Sequence, residues 1–547
     1  MAPSSLVLYN TLSKRIEPFT PKDPSKITFY SCGPTVYDDA HIGNFRSFLA
    51  ADVLRRFIES PLCALLQADG TVHQGPRTVV HVMNITDVGH MTDDAEGGES
   101  GEDRMAVAGR RLEEAKKSGK LPAGSTLDPR DPYQIARFYE ARFKDDAVML
   151  GLKLAIQAKT DPTLMPRATE SIEGMVTVIQ RLIRDGNAYS SGVPGSRAIY
   201  FNVQSFPGYG KLSGNTLAAL KAGEGGRVSE ANQQGKKHPA DFLLWKEDNS
   251  HIMKWDSPFG DDWGKGYPGW HIECTVMAAL RLAGVDAAGL GTLSLPGAQP
   301  LIDLHSGGED NIFPHHECEI AQSCCAFNHA ASKTGQGSFA AMWFHPRFLF
   351  VEGAKMSKSK GNFFTARDLA DKGIQPAALR LELIRTHYRS NANFTMQGLE
   401  DAGRMADRWR KVLAAGGTEK VDMKHSVLAA FGEAMHNDLN ISEAIAQVNR
   451  WCNTIEKPTP ADAAVMRELD AVLGVLGLEQ LAGRNSEIGI YLPGVAPSPE
   501  VEAKLLARMA ARKAKDFAAS DKIRDEILAM GYTIKDAPGG KVEIGRK

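Results

Sequence analysis

Several features that would narrow the role of this chain at once are missing from it. Only 7 of its 547 residues are cysteine, an odd number without framework spacing, which excludes a disulfide-stapled scaffold and points to a reducing compartment. The formal net charge is -2, so no whole-protein field draws a polyanion, and any RNA surface must be a local patch. Long apolar runs are lacking too. The stretch 281–302 is interrupted by Gly284, Asp286, Gly289, Gly291, Pro296, Gly297 and Pro300, which make it a loop and not a membrane span. No apolar leader of the signal-peptide kind is present and no internal repeat is visible. A cytoplasmic protein without membrane contact is therefore expected. With 43% hydrophobic and 24% charged residues, the rest is ordinary for a globular chain long enough for three or more domains.

Against that background two segments carry chemistry. Pro34-Thr35-Val36-Tyr37 and His41-Ile42-Gly43-Asn44 lie on a turn from a predicted strand, Ile27–Cys32, into a helix predicted to begin near Ile42. A helix N-terminus offers backbone N–H groups and a positive dipole end to an anion. His41 adds a donor, and Gly43 lets a nucleotide approach the backbone closely. Far downstream, Lys355-Met356-Ser357-Lys358-Ser359 places two lysines on a short loop, suited to cancelling the charge of a leaving pyrophosphate. In this order the two segments resemble the paired signatures of class I aminoacyl-tRNA synthetases.

The strand Ile27–Cys32, the helix Ile42–Ile58 and the strand Thr78–Ile85 read as the opening of a doubly wound nucleotide-binding sheet. Asp93–Asp103 and Lys116–Asp131 read as surface insertions. Helical periodicity marks Ile135–Leu150 and Glu170–Asp185, whereas Gly192–Gly226 looks irregular. Sheet-like sequence resumes at Asp241–Trp245 and a helix is expected at Trp270–Leu282. His305–Pro314 reads as a Gly-rich loop feeding a helix His315–Cys325. Amphipathic helices follow at Leu399–Leu413, His425–His436 and Ser442–Thr454. The segment 484–499 reads as a linker, and 500–547 carries 11 basic and 8 acidic residues, net +3. Pattern alone supports an α/β portion followed by an all-α one.

His315 and Glu319, four apart on a predicted helix, project from one face, and Cys32 and Cys274 add two thiols. All four are standard zinc donors, although a lone buried cysteine is more often a small hydrophobe than a ligand. Cys318, Cys324 and Cys325 are read as packing residues, and His271, His305 and His316 as site neighbours or core histidines.

Phe29 to Asp38, Asn84-Ile85-Thr86-Asp87, Pro268 to Cys274, Phe313 to Glu319 and Lys355 to Asn362 resemble the motifs of cysteinyl-tRNA synthetases. The likeness runs on through His387-Tyr388-Arg389-Ser390 to Ala514-Lys515-Asp516-Phe517, nearly the whole chain. It implies a Rossmann-like class I catalytic domain in two halves (residues 1–135 and 241–350) around a connective insertion (136–240). It further implies a signature-loop and stem-contact region (351–395), a tRNA-binding helical bundle (396–483), the linker and a C-terminal anticodon-binding domain (500–547). One zinc ion per chain on Cys32, Cys274, His315 and Glu319 is implied, with Mg²⁺ accompanying ATP. So are L-cysteine and tRNA(Cys) as partners of a monomer. His41, Asn44, Lys355 and Lys358 would act in catalysis. Gly43, Gly307, Gly308 and Asp310 would join His41 and the lysines around ATP, and Thr86 and Trp270 would line the amino acid. The class-wide first motif ends in a second histidine where this chain has Asn44, expected to be a tolerated variant because an amide still donates a hydrogen bond.

Two other functions were weighed. A ligase joining cysteine to a small amine, as in mycothiol-pathway relatives, would not need the roughly 150 residues beyond Phe394. A non-catalytic RNA-binding paralogue would not need the intact lysines, histidine and metal set.

Overall fold

The computed structural model describes residues 5–91, 101–119, 121, 126–221, 235–356, 361–478, 488–491, 495, 498–514, 516–537 and 542–546. Lys358, much of the 93–131 insertion and part of the 484–499 segment therefore lie outside the described residues.

Four strands form a wholly parallel sheet in the order Ala340–Phe344, Ile302–Ser306, Lys26–Ser31, Thr78–Met83. A parallel sheet needs crossovers, which place helices on both faces and bury its strands on both sides. Alternation decides which core each side chain joins. Ile27, Phe29, Val79 and Leu304 enter one cluster with the helix Ile42–Glu59. Tyr30, Val82 and Trp343 enter the other with the helices Trp270–Leu282 and Glu317–Phe327. The doubly wound reading thus holds, a parallel sheet with a helical core on each face. Because every strand runs the same way, their carboxyl ends lie along one edge, where open α/β sheets bind ligands. Cys32, Asn84, Gly307 and His345 are each the first residue past one of the four strands.

The helix Ile42–Glu59 explains why its sequence lacks a clean polar face. One side packs on the sheet, and the other meets the helices Pro376–Ile384 and Pro460–Leu473. Its polar residues on that second side must find partners without water. Asp52, 1% exposed, accepts from Arg380 Nη2 at 2.6 Å, from Arg56 Nε at 2.7 Å and from the Lys153 N–H at 2.8 Å. Arg380, fully buried, spends its remaining donors on the carbonyls of Leu473 and Leu150. Burial works against the Asp52 carboxylate, but Arg56 and Arg380 outweigh it and hold it well below the usual carboxylate range. One ion cluster thus joins the nucleotide fold to the helices beyond it.

Three readings are corrected. Gly192–Gly226 is not irregular throughout: Ala198–Phe201 is the inner strand of an antiparallel sheet ordered Gly266–Pro268, Phe242–Glu247, Ala198–Phe201, Ala188–Ser191. Its glycines border the strand and hid a four-residue run. His305 is not in a loop but in the strand Ile302–Ser306. The segment 484–499 holds a strand, Gly489–Tyr491, parallel to Val542–Arg546 in a three-stranded sheet with Tyr532–Asp536. That sheet and the helices Pro499–Lys513 and Phe517–Ala529 share their own small core around Tyr491, Leu505 and Ile544.

Replacing Asp52 by Ala strands Arg380 as an uncompensated buried charge and should cost about 3–5 kcal/mol. Thermal unfolding checks this. The paired change Asp52→Leu with Arg380→Met should lower the melting temperature less than Asp52→Ala alone.

Candidate active site and metal centre

At the carboxyl edge of the sheet, the turn after Ser31 runs to His41, which caps the helix Ile42–Glu59. His41 Nδ1 accepts from the Asn44 N–H at 3.1 Å, and Asn44 Oδ1 accepts from the His41 N–H at 3.1 Å. Such a reciprocal cap satisfies two terminal donors and fixes the side chain that makes it. The Ile42 N–H donates to the Phe364 carbonyl at 3.0 Å, tying the cap to the segment just after the signature loop. The N-terminus is therefore partly used by the protein itself, and what it presents is an oriented His41 ring beside Gly43. A methyl group on Gly43 would come within 2.5 Å of Met356 Cε and 3.0 Å of the His41 ring, so the two signature motifs pack across this glycine.

These groups line a cavity of about 520 Å³, within the range of small-molecule sites. His41, Gly43, Asn44, Lys355, Gly308, Asp310, Cys32 and Trp270 all belong to its wall. Lys355 is exposed, its ammonium 5.1 Å from the centre of the Phe348 ring.

Cys32 also belongs to a group reaching below the cavity. One ligating atom from each of Cys32, Cys274, His315 and Glu319 lies within 4.8 Å of all the others, and all four residues are buried. The two sulfurs are 3.9 Å apart. Two thiolates on a tetrahedral zinc at ~2.3 Å would be about 3.8 Å apart, so the donors suit that ion in kind and in spacing. His315 Nε2 is 2.8 Å from Glu319 Oε1, as expected of positions four apart. The local path differs from a continuous helix: Ile312–His316 is a wide turn, with Phe313 extended at φ -140° and ψ 133°, and the α-helix starts at Glu317. A second group, Cys32, His305, His316 and Glu319, satisfies the same 4.8 Å criterion. It shares two members with the first. His316 Nε2 is 3.1 Å from Cys32 Sγ, and its other nitrogen is 2.7 Å from His345 Nε2. His305 Nε2 lies 2.7 Å from Glu319 Oε2.

The electrostatics separate the two sets. Burial would raise the Glu319 carboxyl, but His305 and His315 hold it well below the usual range. Burial opposes charge on His315, yet Glu319 and Cys274 drive it up to about 10. The Cys274 thiol is lowered: burial works against its ionisation, while its hydrogen bond with Cys32 and the nearby His315 outweigh that. Burial, then Cys274, pushes Cys32 well above the thiol range. His316 is held neutral by burial and by His305, and His345 falls to about 3 by burial. An anionic carboxylate and a thiol made easier to ionise thus face one imidazolium, whose proton a divalent cation would displace. The first set also has two thiols against one, and thiolate is the donor zinc prefers.

Residues 18–404 match the family described as tRNA synthetases class I (C) catalytic domain. A Salinibacter ruber protein named cysteine–tRNA ligase is 37% identical over 97% of this chain and 97% of its own length. One of the same name from Thermus thermophilus is 36% identical, covering 98% of each. The chain belongs to the cysteine–tRNA ligases. The solved LeuRS of Agrobacterium radiobacter, in a ternary complex with tRNA and LeuAMS, is 10% identical with a TM-score of 0.53, covers 97% of each chain and shares the fold.

As a member of this family, the chain brings most of the expected site residues together. The four expected metal donors converge, and His41, Gly43, Asn44, Lys355, Gly308, Asp310 and Trp270 share one cavity wall. Trp270 stacks on His315, ring centres 4.2 Å apart. Gly307 is not on that wall; an added methyl there would meet His316 at 2.5 Å. Thr86 does not reach the wall: it is 1% exposed and its hydroxyl donates to Glu273 Oε2 at 3.0 Å, a carboxylate that His90 also contacts at 2.7 Å. Cys318 lies outside both metal-competent groups, 3.5 Å from the Tyr209 hydroxyl, and Cys324 and Cys325 are likewise outside them. Reading by motif missed Asp39 and Arg347 on the wall; Asp39 sits between the two quoted segments, and nothing local marks Arg347.

Metal content separates the two donor sets. Zinc measured by plasma mass spectrometry should fall from ~1 to under ~0.2 per chain in Cys274→Ser and in His315→Ala. It should persist in His316→Ala and Cys324→Ser. The reverse pattern for the two histidines would place the cation in the other set.

Proposed function

We propose that the chain joins L-cysteine to tRNA(Cys) in two steps, through a cysteinyl-adenylate. The observation that carries this reading is that Cys32 is at once a wall residue of the His41–Lys355 cavity and a member of the two-thiol donor set. A sulfur-seeking position and a polyphosphate-handling wall therefore open onto the same space.

In the first step the cysteine carboxylate attacks the α-phosphate of ATP and pyrophosphate leaves. This step needs alignment and charge neutralisation more than a general base. His41, fixed by the Asn44 cap, meets the phosphates at the helix N-terminus. Lys355, with Lys358 as the second lysine of the loop, neutralises the leaving pyrophosphate, and Mg²⁺ enters with ATP on the phosphate oxygens. Gly308 and Asp310 flank the adenosine and ribose. Trp270 covers the amino-acid side, held by its stack on His315. Cys32, Cys274, His315 and Glu319 would hold zinc, which would supply a soft Lewis-acidic position better suited to a substrate thiolate than to a serine hydroxyl. An apolar pocket alone would separate such near-isosteres by only ~1–3 kcal/mol. In the second step the 2′-hydroxyl of the terminal adenosine of tRNA attacks the adenylate. The helices after Phe394 and the C-terminal unit, with Arg512, Lys513, Lys522 and Arg524 among its basic residues, would hold the tRNA. We place the enzyme in the cytoplasm as a monomer. Among the described residues, no helix is long and apolar enough to cross a membrane.

Two assays test the proposal. The purified chain should catalyse ATP–pyrophosphate exchange that depends on cysteine and not on serine, and should charge total tRNA with labelled cysteine. Exchange without charging would point to a small-amine acceptor, and neither activity would sink the reading. Lys355→Ala should lower exchange ~100-fold, a loss of ~2.7 kcal/mol in the transition state. Asn44→His should leave exchange within about tenfold of the parent, because Asn44 serves the cap; a gain of ~100-fold would mark Asn44 as a defect.

A further inference from the structure

The segment between the strands Thr78–Met83 and Ile302–Ser306 contributes more to the cavity than its distance in sequence suggests. Its helices Arg104–Lys117 and Pro132–Met149 place three arginines on three consecutive wall residues. Arg104 Nη1 donates to the Tyr37 hydroxyl at 2.8 Å, with the guanidinium carbon 5.0 Å from the ring centre. Arg111 Nη1 lies 3.0 Å from Asp38 Oδ2. Arg142 grips Asp39 with both arms, Nε to Oδ1 at 2.6 Å and Nη2 to Oδ2 at 2.7 Å. The first helix is seated tightly on the segment leading into the second: a methyl on Gly109 would come within 2.4 Å of the Pro129 carbonyl oxygen and 3.3 Å of Ile135 Cδ1.

Arg142 is itself held from the far side. Its carbonyl accepts from Arg367 Nη2 at 2.6 Å, and that same nitrogen is 2.9 Å from Asp146 Oδ1. Arg367 belongs to the short helix Ala366–Asp371, just past the signature loop, and its Nε is 4.0 Å from Asp39 Oδ1. A bidentate arginine–carboxylate pair fixes orientation as well as charge.

In the function proposed above, on which this inference rests, the cavity takes a polyphosphate. A carboxylate on its wall works against that anion unless something cancels it. Asp39 keeps 21% of its side chain exposed there, so its field is only partly screened by water. We propose that Arg142 is a positioning residue for the nucleotide step, cancelling the Asp39 charge and fixing this wall against the exit of the signature loop through Arg367.

The test uses the full chain with its metal and measures the ATP Kd by equilibrium dialysis beside KM(ATP) and KM(cysteine) in exchange. Arg142→Met should raise Kd and KM for ATP about tenfold and leave KM(cysteine) within about twofold. Asp39→Asn should move them the other way, two- to threefold below the parent. The double variant should return to within about threefold of the parent, which loss of packing would not produce. A double variant as impaired as Arg142→Met, or no ATP effect in Arg142→Met, overturns the inference. Should Arg142→Met not fold, Asp39→Asn decides by sign, and a weakened ATP affinity there overturns it. A parent chain that binds ATP without cysteine-dependent exchange would refute the amino-acid reading and leave this charge test standing; no ATP binding would refute both.

Discussion

Two sulfur atoms 3.9 Å apart, from residues 242 positions apart in sequence, set the terms for the rest of the molecule. Bringing Cys32 and Cys274 together requires the first strand of the parallel sheet to end where a crossover helix from the second half begins. That requires both halves of the sheet to be in register. The carboxyl edge then delivers the nucleotide turn, Gly307 and His345 to the same place without further cost, because parallel strands all end on one side.

Burying such a group is expensive unless every charge finds a counterpart. The site meets this with mutual partners: the Glu319 carboxylate between His305 and His315, and neutral His316 and His345 in a chain that ends on the Thr11 hydroxyl. Metal donors and supporting groups are therefore of the same residue types. His315, stacked under Trp270 and driven up to about 10, differs from its neighbour His316, held neutral and facing His345, in ring contact, hydrogen bonding and charge.

The polyphosphate side uses a different economy of contacts. Here His41 is half-buried and Lys355 exposed, and each is fixed from behind. His41 is fixed by its own helix cap, Gly43 leaves room for Met356, and the strand pair Leu349–Val351 and Ala354–Lys355 brings the first signature lysine to the rim. The Asp52–Arg380 cluster and Arg46, which donates to the carbonyls of Arg347, Leu383, His387 and Ser390, then tie that helix to the segments beyond the loop. Loading of the nucleotide end and placement of the distal helices are thus mechanically continuous through one helix.

Much of this was legible in the chain itself. The signature segments lie where backbone conformation is locally dictated, by a cap, a glycine and a strand end, so their local shape follows from local sequence. The helices Ile42–Glu59, Trp270–Leu282 and Met396–Leu413 were readable for the same reason, their apolar spacing being a local property. The strand Ala198–Phe201 was not, since four residues between glycine-rich turns become a strand only by pairing with Phe242–Glu247. Nor could sequence assign Thr86 to Glu273 instead of the cavity, or Arg142 to Asp39, contacts that span 187 and 103 positions. Local spacing determined which chemistry the chain carries. Tertiary packing alone decided which buried side chains converge, because Cys32 meets Cys274 and Glu319 only across 242 and 287 positions.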